Sequence, residues 1–451
     1  MGPGRLVVPG LAEGDRVERQ VQPAVATAIQ AHPLAGRGRA LTCSIVSGKQ
    51  PTEGRMRLLF TTQPAYGHFH PLLPLATALQ NARHEVSFAT SALFGPVVQA
   101  TGFPAFAAGL NWLESDKSTV PDELKPKPGS TLEEYFAQQF VAATAERLAR
   151  DVVDLGRTWR PDVIVHERTE FGGTIAADAL GLPAVAVQVG SPSLMTSAVL
   201  GAVEQPYNAA RAALGLPPDE GLAALAGEVV LSFAPPALHD PSVPLPRNFV
   251  SFRPVALDRS SAARLPAWAE RLGQERPVVY ATLGTVFNQP KDELPFFPAI
   301  LEGLRNEPLD LVITVGPDVD PASLGRQPAN VHVDRYLPQS LLFPKCSVVV
   351  SHGGYGTVVA AIEHGIPMIV VPFGADQPIN ARSVERLGLG KVIDEADLTA
   401  DRLRSAVRSL LDEPAWRGNV ERVRDEARAM PSISDAVEIV ERAARARLAE
   451  A

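Results

Sequence analysis

A chain of 451 residues exceeds one ordinary hydrophobic core, so two domains are expected. Its hydrophobic share of 45% and charged share of 20% are those of a globular protein, and a net charge of −8 argues against nucleic acid or an anionic membrane as the main partner. Two cysteines, Cys43 and Cys346, exclude a disulfide framework and a thiolate metal site, and no apolar run is long enough to span a bilayer, so a cytoplasmic protein is expected.

Residues 1–55 carry scattered Gly, Pro, Arg and Gln without a sustained period and read as a disordered leader or an over-extended translation start. From Met56 the chain alternates strand and helix, the pattern of parallel sheets covered on both faces. The first half, 56–255, gives a strand at 57–62, a helix at 71–82 and a strand at 85–90. A polar, Pro-rich insertion at 111–130 and a helical pattern at 131–156 follow. A strand at 162–166, a helix at 173–180 and a strand at 184–187 come next, and 191–227 reads as helices and loops. A linker is expected at 256–276. A second series at 277–430 gives strands at 278–283, 309–315, 331–333, 348–350 and 368–371, and the tail at 431–451 is helical in pattern.

Ligands of open α/β sheets bind beyond the carboxyl ends of the strands. The first strand runs into Gln63-Pro64-Ala65-Tyr66-Gly67-His68-Phe69-His70-Pro71, which places His68 on that side. A histidine near its ordinary pKa can take a proton from an attacking hydroxyl, and His70 is a second, weaker choice. A catalytic imidazole needs a partner that fixes its tautomer. Glu167, in the His166–Glu170 loop after another strand, is the expected partner, with Glu170 competing for the role. In the second half, Val348-Val349-Val350 leads into Ser351-His352-Gly353-Gly354-Tyr355-Gly356-Thr357 and a short helix ending near Gly365. A glycine turn that opens a helix offers free N–H groups and a positive dipole end to phosphate. Gly284-Thr285, after the first strand of this half, is a second short turn aimed at the same place. Asp376-Gln377 follow a strand end, where Asp376 could also serve as a helix N-cap.

The combination Tyr336-Leu337-Pro338-Gln339, His352 to Thr357, Gly365-Ile366-Pro367, Asp376-Gln377 and Asn380-Ala381 resembles the nucleotide-sugar signature of the inverting family 1 glycosyltransferases. The resemblance is to the group that includes antibiotic and plant secondary-metabolite enzymes, and runs from about Met56 to the C-terminus. It implies the GT-B fold, two doubly wound Rossmann-like domains facing across a cleft, with the last helix crossing back to the N-terminal domain. It also implies His68 as catalytic base and Glu167 as its acidic partner, although many relatives carry Asp there. His352 would bind the diphosphate, with Gly284, Thr285, Gly354, Gly356 and Thr357 around it. Tyr336 would serve the base end, Gln339 would belong to the same donor site, and Asp376 and Gln377 would hold the sugar hydroxyls. Plant relatives have Trp at the Tyr336 position, where an aromatic ring can still stack on a base. They also place Glu, for the ribose hydroxyls, where this chain has Ala360; that departure shifts the expected donor from uridine toward thymidine diphosphate sugars.

The expected activity is therefore transfer of a sugar from a nucleotide diphosphate sugar to a hydroxyl of a small, largely apolar acceptor, with the inversion implied by the resemblance. No metal is expected, because no Cys pair or Asp-Xaa-Asp motif lies in a suitable loop. The expected state is monomer or homodimer. The alternatives are a nucleotide-sugar epimerase or hydrolase on the same fold, and a non-catalytic auxiliary partner of a glycosyltransferase. An auxiliary protein would be expected to lose His352, Thr357, Asp376 and Gln377, all of which are present.

Overall fold

The computed structural model describes residues 54–125, 127, 129–255, 264–284, 296–316 and 319–450. Two parallel sheets organise the chain. The first contains β1 (Arg57–Thr61), β2 (Glu85–Thr90), β3 (Ala105–Ala107), β4 (Val163–Glu167), β5 (Ala184–Gln188), β6 (Val229–Ser232) and β7 (Phe249–Ser251) in the order β3-β2-β1-β4-β5-β6-β7. The second contains β8 (Val278–Thr282), β9 (Asp310–Thr314), β10 (Val331–Asp334), β11 (Val348–Ser351), β12 (Met368–Val370) and β13 (Gly390–Val392) in the order β10-β9-β8-β11-β12-β13. Both are doubly wound α/β sheets of Rossmann type, as the alternating pattern implies. The central strands read as unbroken apolar runs because helices bury both of their faces: β5, β8 and β11 have no exposed residue.

This strand order sets where chemistry can occur. In each sheet the order reverses between the first and fourth strands of the series, and the diverging loops there leave a crevice at the carboxyl edge. In the first sheet the flanking strands are β1 and β4; in the second they are β8 and β11. His68 follows β1, Glu167 ends β4, Gly284 follows β8 and His352 follows β11.

Several elements differ from the sequence expectation. The helix expected at 71–82 is a tight 3-10 turn, His70–Leu72, followed by an α-helix, Leu73–Asn81, with Pro71 and Pro74 each at the start of a turn, where an N–H is not needed. Glu167 is the last residue of β4 rather than a loop residue. The expected leader, apart from Gly54 and Arg55, lies outside the described residues, as do linker residues 256–263. The later part of the linker joins the second domain: Ala269 and Leu272 are buried in its core, and Trp268 stacks on His332 with ring centroids 4.2 Å apart.

The last helix, Ile433–Glu450, follows the second domain in sequence but packs on the first. Ala436, Val437, Val440 and Ala444 are buried with Leu72, Leu75 and Leu79. Glu441 Oε1 lies 2.9 Å from the buried His84 Nε2, and Arg253 N–H donates to Pro431 O where the two crossings meet. The domains also touch directly: Ser383 Oγ donates to Leu238 O at 2.8 Å, and Arg386 donates to the carbonyls of Ala237 and His239.

Candidate active site

On the first domain, the Pro64-Ala65 turn leads from β1 into the one-turn helix Tyr66–Phe69 that carries His68. Phe69 is fully buried against Phe88 and Phe94 and anchors that turn, so His68 faces the cleft while its neighbour is held in the core. His68 Nδ1 lies 2.8 Å from Glu167 Oε1. Glu167 is completely buried, and its other oxygen accepts from Thr169 N–H at 2.7 Å and Thr169 Oγ1 at 2.6 Å. The Thr169 hydroxyl oxygen then stands 3.1 Å from His68 Nδ1. With Nδ1 turned to a carboxylate, Nε2 is the nitrogen left for a substrate.

Electrostatics follow from this packing. Burial works to lower the His68 pKa, but the Glu167 charge, its hydrogen bond, and the charges of Glu114 and Asp376 outweigh burial and raise it to about 9. Burial works to raise Glu167, and the His68 charge and the hydrogen bonds from His68 and Thr169 lower it instead. Glu170 has a different task. It accepts from the backbone N–H groups of Gly172 and Gly173 at the start of the helix Gly172–Leu180 and from the Thr61 hydroxyl. Burial pushes its pKa up to about 7. Glu167, not Glu170, is the carboxylate that touches His68. His70 packs its ring against Tyr66, with centroids 5.3 Å apart.

On the second domain, His352 is buried between two glycines. A Cβ on Gly284 would stand 2.7 Å from His352 Cε1, and one on Gly354 would stand 2.6 Å from Nε2. Only glycine fits at either place, and Gly284 also needs its positive φ of 70°. Burial lowers the His352 pKa to about 4, so the imidazole is neutral at physiological pH. The helix Tyr355–Glu363 begins at once, with Gly354 as N-cap and no side-chain acceptor on its first N–H groups. Gly356 has open space beside it and Thr357 is buried. Thr285 lies outside the described residues.

The remaining expected residues are placed as follows. Tyr336 is 42% exposed. Gln339 Nε2 donates to the Tyr280 hydroxyl at 3.3 Å, which ties it to β8. Asp376 stands at the N-cap position of the helix Gln377–Leu387, but its side chain does not cap; Oδ2 accepts from Asn380 Nδ2 at 3.1 Å instead. Its backbone conformation, φ −81° and ψ −4°, is helical rather than extended, which takes the carboxylate away from the helix N–H groups. Ala375 before it has φ 52°, a left-handed conformation that a side chain rarely adopts. The Gln377 side-chain oxygen accepts from Phe373 and Gly374 N–H, so only its amide NH2 is left for a ligand. Burial raises the Asp376 pKa against the His68 charge, and a backbone N–H of Ser191, on the first domain, favours its ionised form. His68 and Asp376 thus feel one another across the cleft.

Three residues at this site escaped sequence reasoning. Thr169 has its only signal in its distance of two residues from Glu167. Glu114 sits in the polar insertion, where burial raises its pKa against His68 and beside Asp376 and Glu167. The Phe140 ring stacks on His68, with centroids 5.7 Å apart and planes 29° apart. Among the described residues no group of three or more His, Cys, Asp or Glu is arranged to hold a metal ion, and no helix is long and apolar enough to cross a membrane.

Comparison with known proteins identifies the family. Residues 128–284 match the family "Erythromycin biosynthesis protein CIII-like, N-terminal domain", and 303–443 match its C-terminal domain. The chain is 28% identical to aclacinomycin-T 2-deoxy-L-fucose transferase of Streptomyces galilaeus, over 86% of this chain and 96% of that one. It is 27% identical to 10-deoxymethynolide desosaminyltransferase of Streptomyces venezuelae, over 86% and 97%. Among solved structures, the glycosyltransferase VinC in complex with dTDP is similar at a TM-score of 0.72 and 26% identity, covering 86% of this chain and 100% of that one. SnogD from Streptomyces nogalater is similar at a TM-score of 0.66 and 27% identity, covering 86% and 99%. The chain belongs to the bacterial secondary-metabolite glycosyltransferases of family 1, with the GT-B fold. It is a nucleotide-sugar-dependent glycosyltransferase, and the epimerase, hydrolase and auxiliary-partner readings are not favoured.

Proposed function

We propose that His68 is the general base of an inverting transfer from a nucleotide diphosphate sugar to a hydroxyl of a small, largely apolar acceptor. The observation that carries this reading is the His68–Glu167 contact of 2.8 Å at one switch point, with Asp376 of the other domain close enough to act on the His68 charge. Thr169 and the buried carboxylate hold Nδ1–H, so Nε2 presents its lone pair to the acceptor hydroxyl. As Nε2 takes the proton, the acceptor oxygen bonds to the anomeric carbon from the face opposite the diphosphate. The bond from that carbon to the diphosphate oxygen breaks, and the leaving group departs with the electron pair. Glu167 stabilises the imidazolium that forms.

The donor end follows from the second switch point. The uncapped N–H groups of the helix Tyr355–Glu363, the buried neutral His352 and the Thr357 hydroxyl would hold the diphosphate. Asp376 and the free amide of Gln377 would hold sugar hydroxyls, and the exposed Tyr336 ring would stack on the base. Ala360 offers no carboxylate to a ribose 2′-OH, which favours a thymidine diphosphate donor. The similar glycosyltransferase VinC was solved with dTDP bound, in keeping with this reading. The transfer needs no metal ion, because dipoles and hydroxyls are available for the leaving charge.

Product analysis tests the proposal. Nucleotide diphosphate sugar is incubated with and without an acceptor alcohol, in chelator and with added magnesium. A glycoside of inverted anomeric configuration, formed only with acceptor and equally in chelator, is the expected result. Free sugar or an epimerised donor as the main product would overturn the transfer reading, and activity restored only by magnesium would overturn the metal-free one.

A further inference from the structure

The run at 131–156 has one amphipathic pattern but is not one helix. The helix Leu132–Ala137 starts in a capping box of Thr131 and Glu134 and passes into a single π turn, Gln138–Ala142. There Ala143 N–H donates to Gln138 O at 3.1 Å, five residues back, and Thr144 N–H donates to Val141 O. The carbonyls of Gln139 and Phe140 thereby lose the donors an α-helix would give them. The Thr144 hydroxyl lies 3.2 Å from the first and 2.9 Å from the second and substitutes for both. Regular α-helix then resumes at Ala145–Trp159.

The extra residue in the turn changes which side chain faces the cleft. It brings the Phe140 ring over the His68 imidazole, with centroids 5.7 Å apart. Phe140 is backed by Phe136 at 4.8 Å, Phe136 by Phe171 at 6.2 Å, and Phe171 by Tyr207 at 6.1 Å. This row is rooted in the domain core, so the ring cannot swing away without disturbing three others. A single π turn costs helical hydrogen-bond geometry, and such turns concentrate at functional sites. Here the turn has an identifiable product, an aromatic face against the proposed base.

We propose that Phe140 is a positioning residue for His68, holding the imidazole plane and stabilising the imidazolium formed when the acceptor hydroxyl gives up its proton. The electron-rich ring face attracts a cation, most strongly where water is excluded. The other groups that face His68 are the Glu167 carboxylate and Thr169 hydroxyl on Nδ1, with Glu114 and Asp376 adding negative charge from the insertion and the second domain. Phe140 differs from all of these: it meets the ring face, where no carboxylate stands in the described contacts, and acts without accepting the proton. The inference rests on the reading of His68 as base.

The test compares Phe140→Leu and Phe140→Met, which fill space without a ring, with Phe140→Tyr, which keeps the ring. Turnover, donor KM and the His68 titration followed by NMR in histidine-labelled full-length enzyme are read for each. The ringless variants are expected to lower kcat by roughly 3- to 30-fold, with donor KM near the parental value and a His68 midpoint below it. Phe140→Tyr is expected to restore both. If a folded ringless variant keeps the parental midpoint, Phe140 does not hold the imidazolium, whether or not turnover falls. Should one ringless variant fail to fold, the other decides. His68→Ala separates the two readings: parental turnover in that variant removes the base, whereas an inactive His68→Ala beside an unmoved midpoint removes Phe140 alone.

Discussion

Asp376 of the second domain meets Gly190 of the first: a Cβ on Gly190 would stand 3.3 Å from Asp376 Oδ2. Gly190 follows β5 with φ 65°, and Asp376 follows the left-handed Ala375. Two unusual backbone conformations, one on each side of the cleft, thus bring the proposed sugar-holding carboxylate to the loop beyond the catalytic sheet. The neighbouring Ser191 N–H favours the ionised Asp376 carboxylate, and the His68 charge acts on it across the same cleft.

The dyad gives the first prediction. His68→Ala should lower turnover by about 10²-fold or more while donor binding stays near normal, the usual scale for losing a general base. Glu167→Gln should also lower turnover, because a neutral amide no longer stabilises the imidazolium. Steady-state kinetics with calorimetric donor titration check both, and normal turnover in His68→Ala would exclude the base role.

The second prediction is a pH profile. The active base is the neutral imidazole, and its pKa is raised to about 9, so free enzyme is mostly protonated at neutral pH. kcat/KM should therefore climb with pH and level off only beyond about 9. Glu167→Gln removes the largest of the charges that raise His68 and should move this limb to lower pH while reducing the plateau. The same pair contributes to stability over a window. The His68 contribution is full below its ordinary 6.5 and is lost as pH rises through about 9; that of Glu167 is present above its ordinary 4.5 and is lost as pH falls through its lowered value. Melting temperatures of parent and Glu167→Gln should draw together as pH rises past about 9 and as it falls well below the ordinary carboxylate value of 4.5.

Gly354→Ala gives the third. The new methyl would stand 2.6 Å from His352 Nε2, between the helix start and the expected phosphate. Nucleotide diphosphate binding should weaken by about tenfold or more, because the backbone approach to phosphate is lost. Acceptor binding should change little. Calorimetry with dTDP and with acceptor separates the two, and equal losses would count against a phosphate role for this turn.

A fourth concerns the nucleoside. Ala360 lies on the helix Tyr355–Glu363 and packs partly against the core of the second domain. One missing hydrogen bond is worth about 0.5–1.5 kcal/mol, so the expected preference for thymidine over uridine diphosphate is a few-fold to roughly tenfold. Ala360→Glu should shift it toward uridine. Competitive binding to both proteins measures the ratio, and an unchanged ratio would show that position 360 does not read the ribose.

Much of this site is visible in the chain because its anchors are local. Val348 to Thr357 spells strand, turn and helix within ten residues, and the glycines that clear space for His352 are explicit. His68 was placed by a similar argument from the end of β1. What escaped depends on contacts between distant segments. Thr169 and Phe140 reach His68 across 101 and 72 residues; only the nearness of Thr169 to Glu167 marks the first, and no local pattern ties Phe140 to the histidine. The π turn is hidden because one inserted residue hardly disturbs an apolar stripe. β3, β6, β7 and β13 are hidden for a different reason: each has only three or four residues, too few to show a period, and each lies at or next to a sheet edge. The choice between Glu167 and Glu170 needed coordinates, since only the helix start at Gly172 shows that Glu170 is already occupied.

The return of Ile433–Glu450 to the first domain bears on protein engineering. Swapping donor modules between relatives is attractive when one domain holds the sugar nucleotide and the other the acceptor. A single splice in the linker would carry a foreign last helix into the host, where Val440 and Ala444 must fit among Leu72, Leu75 and Leu79 and Glu441 must meet His84. Hybrids with two junctions, one after Ser251 and one near Pro431, keep that seam native. They should outperform single-junction hybrids in yield even when the imported module is identical.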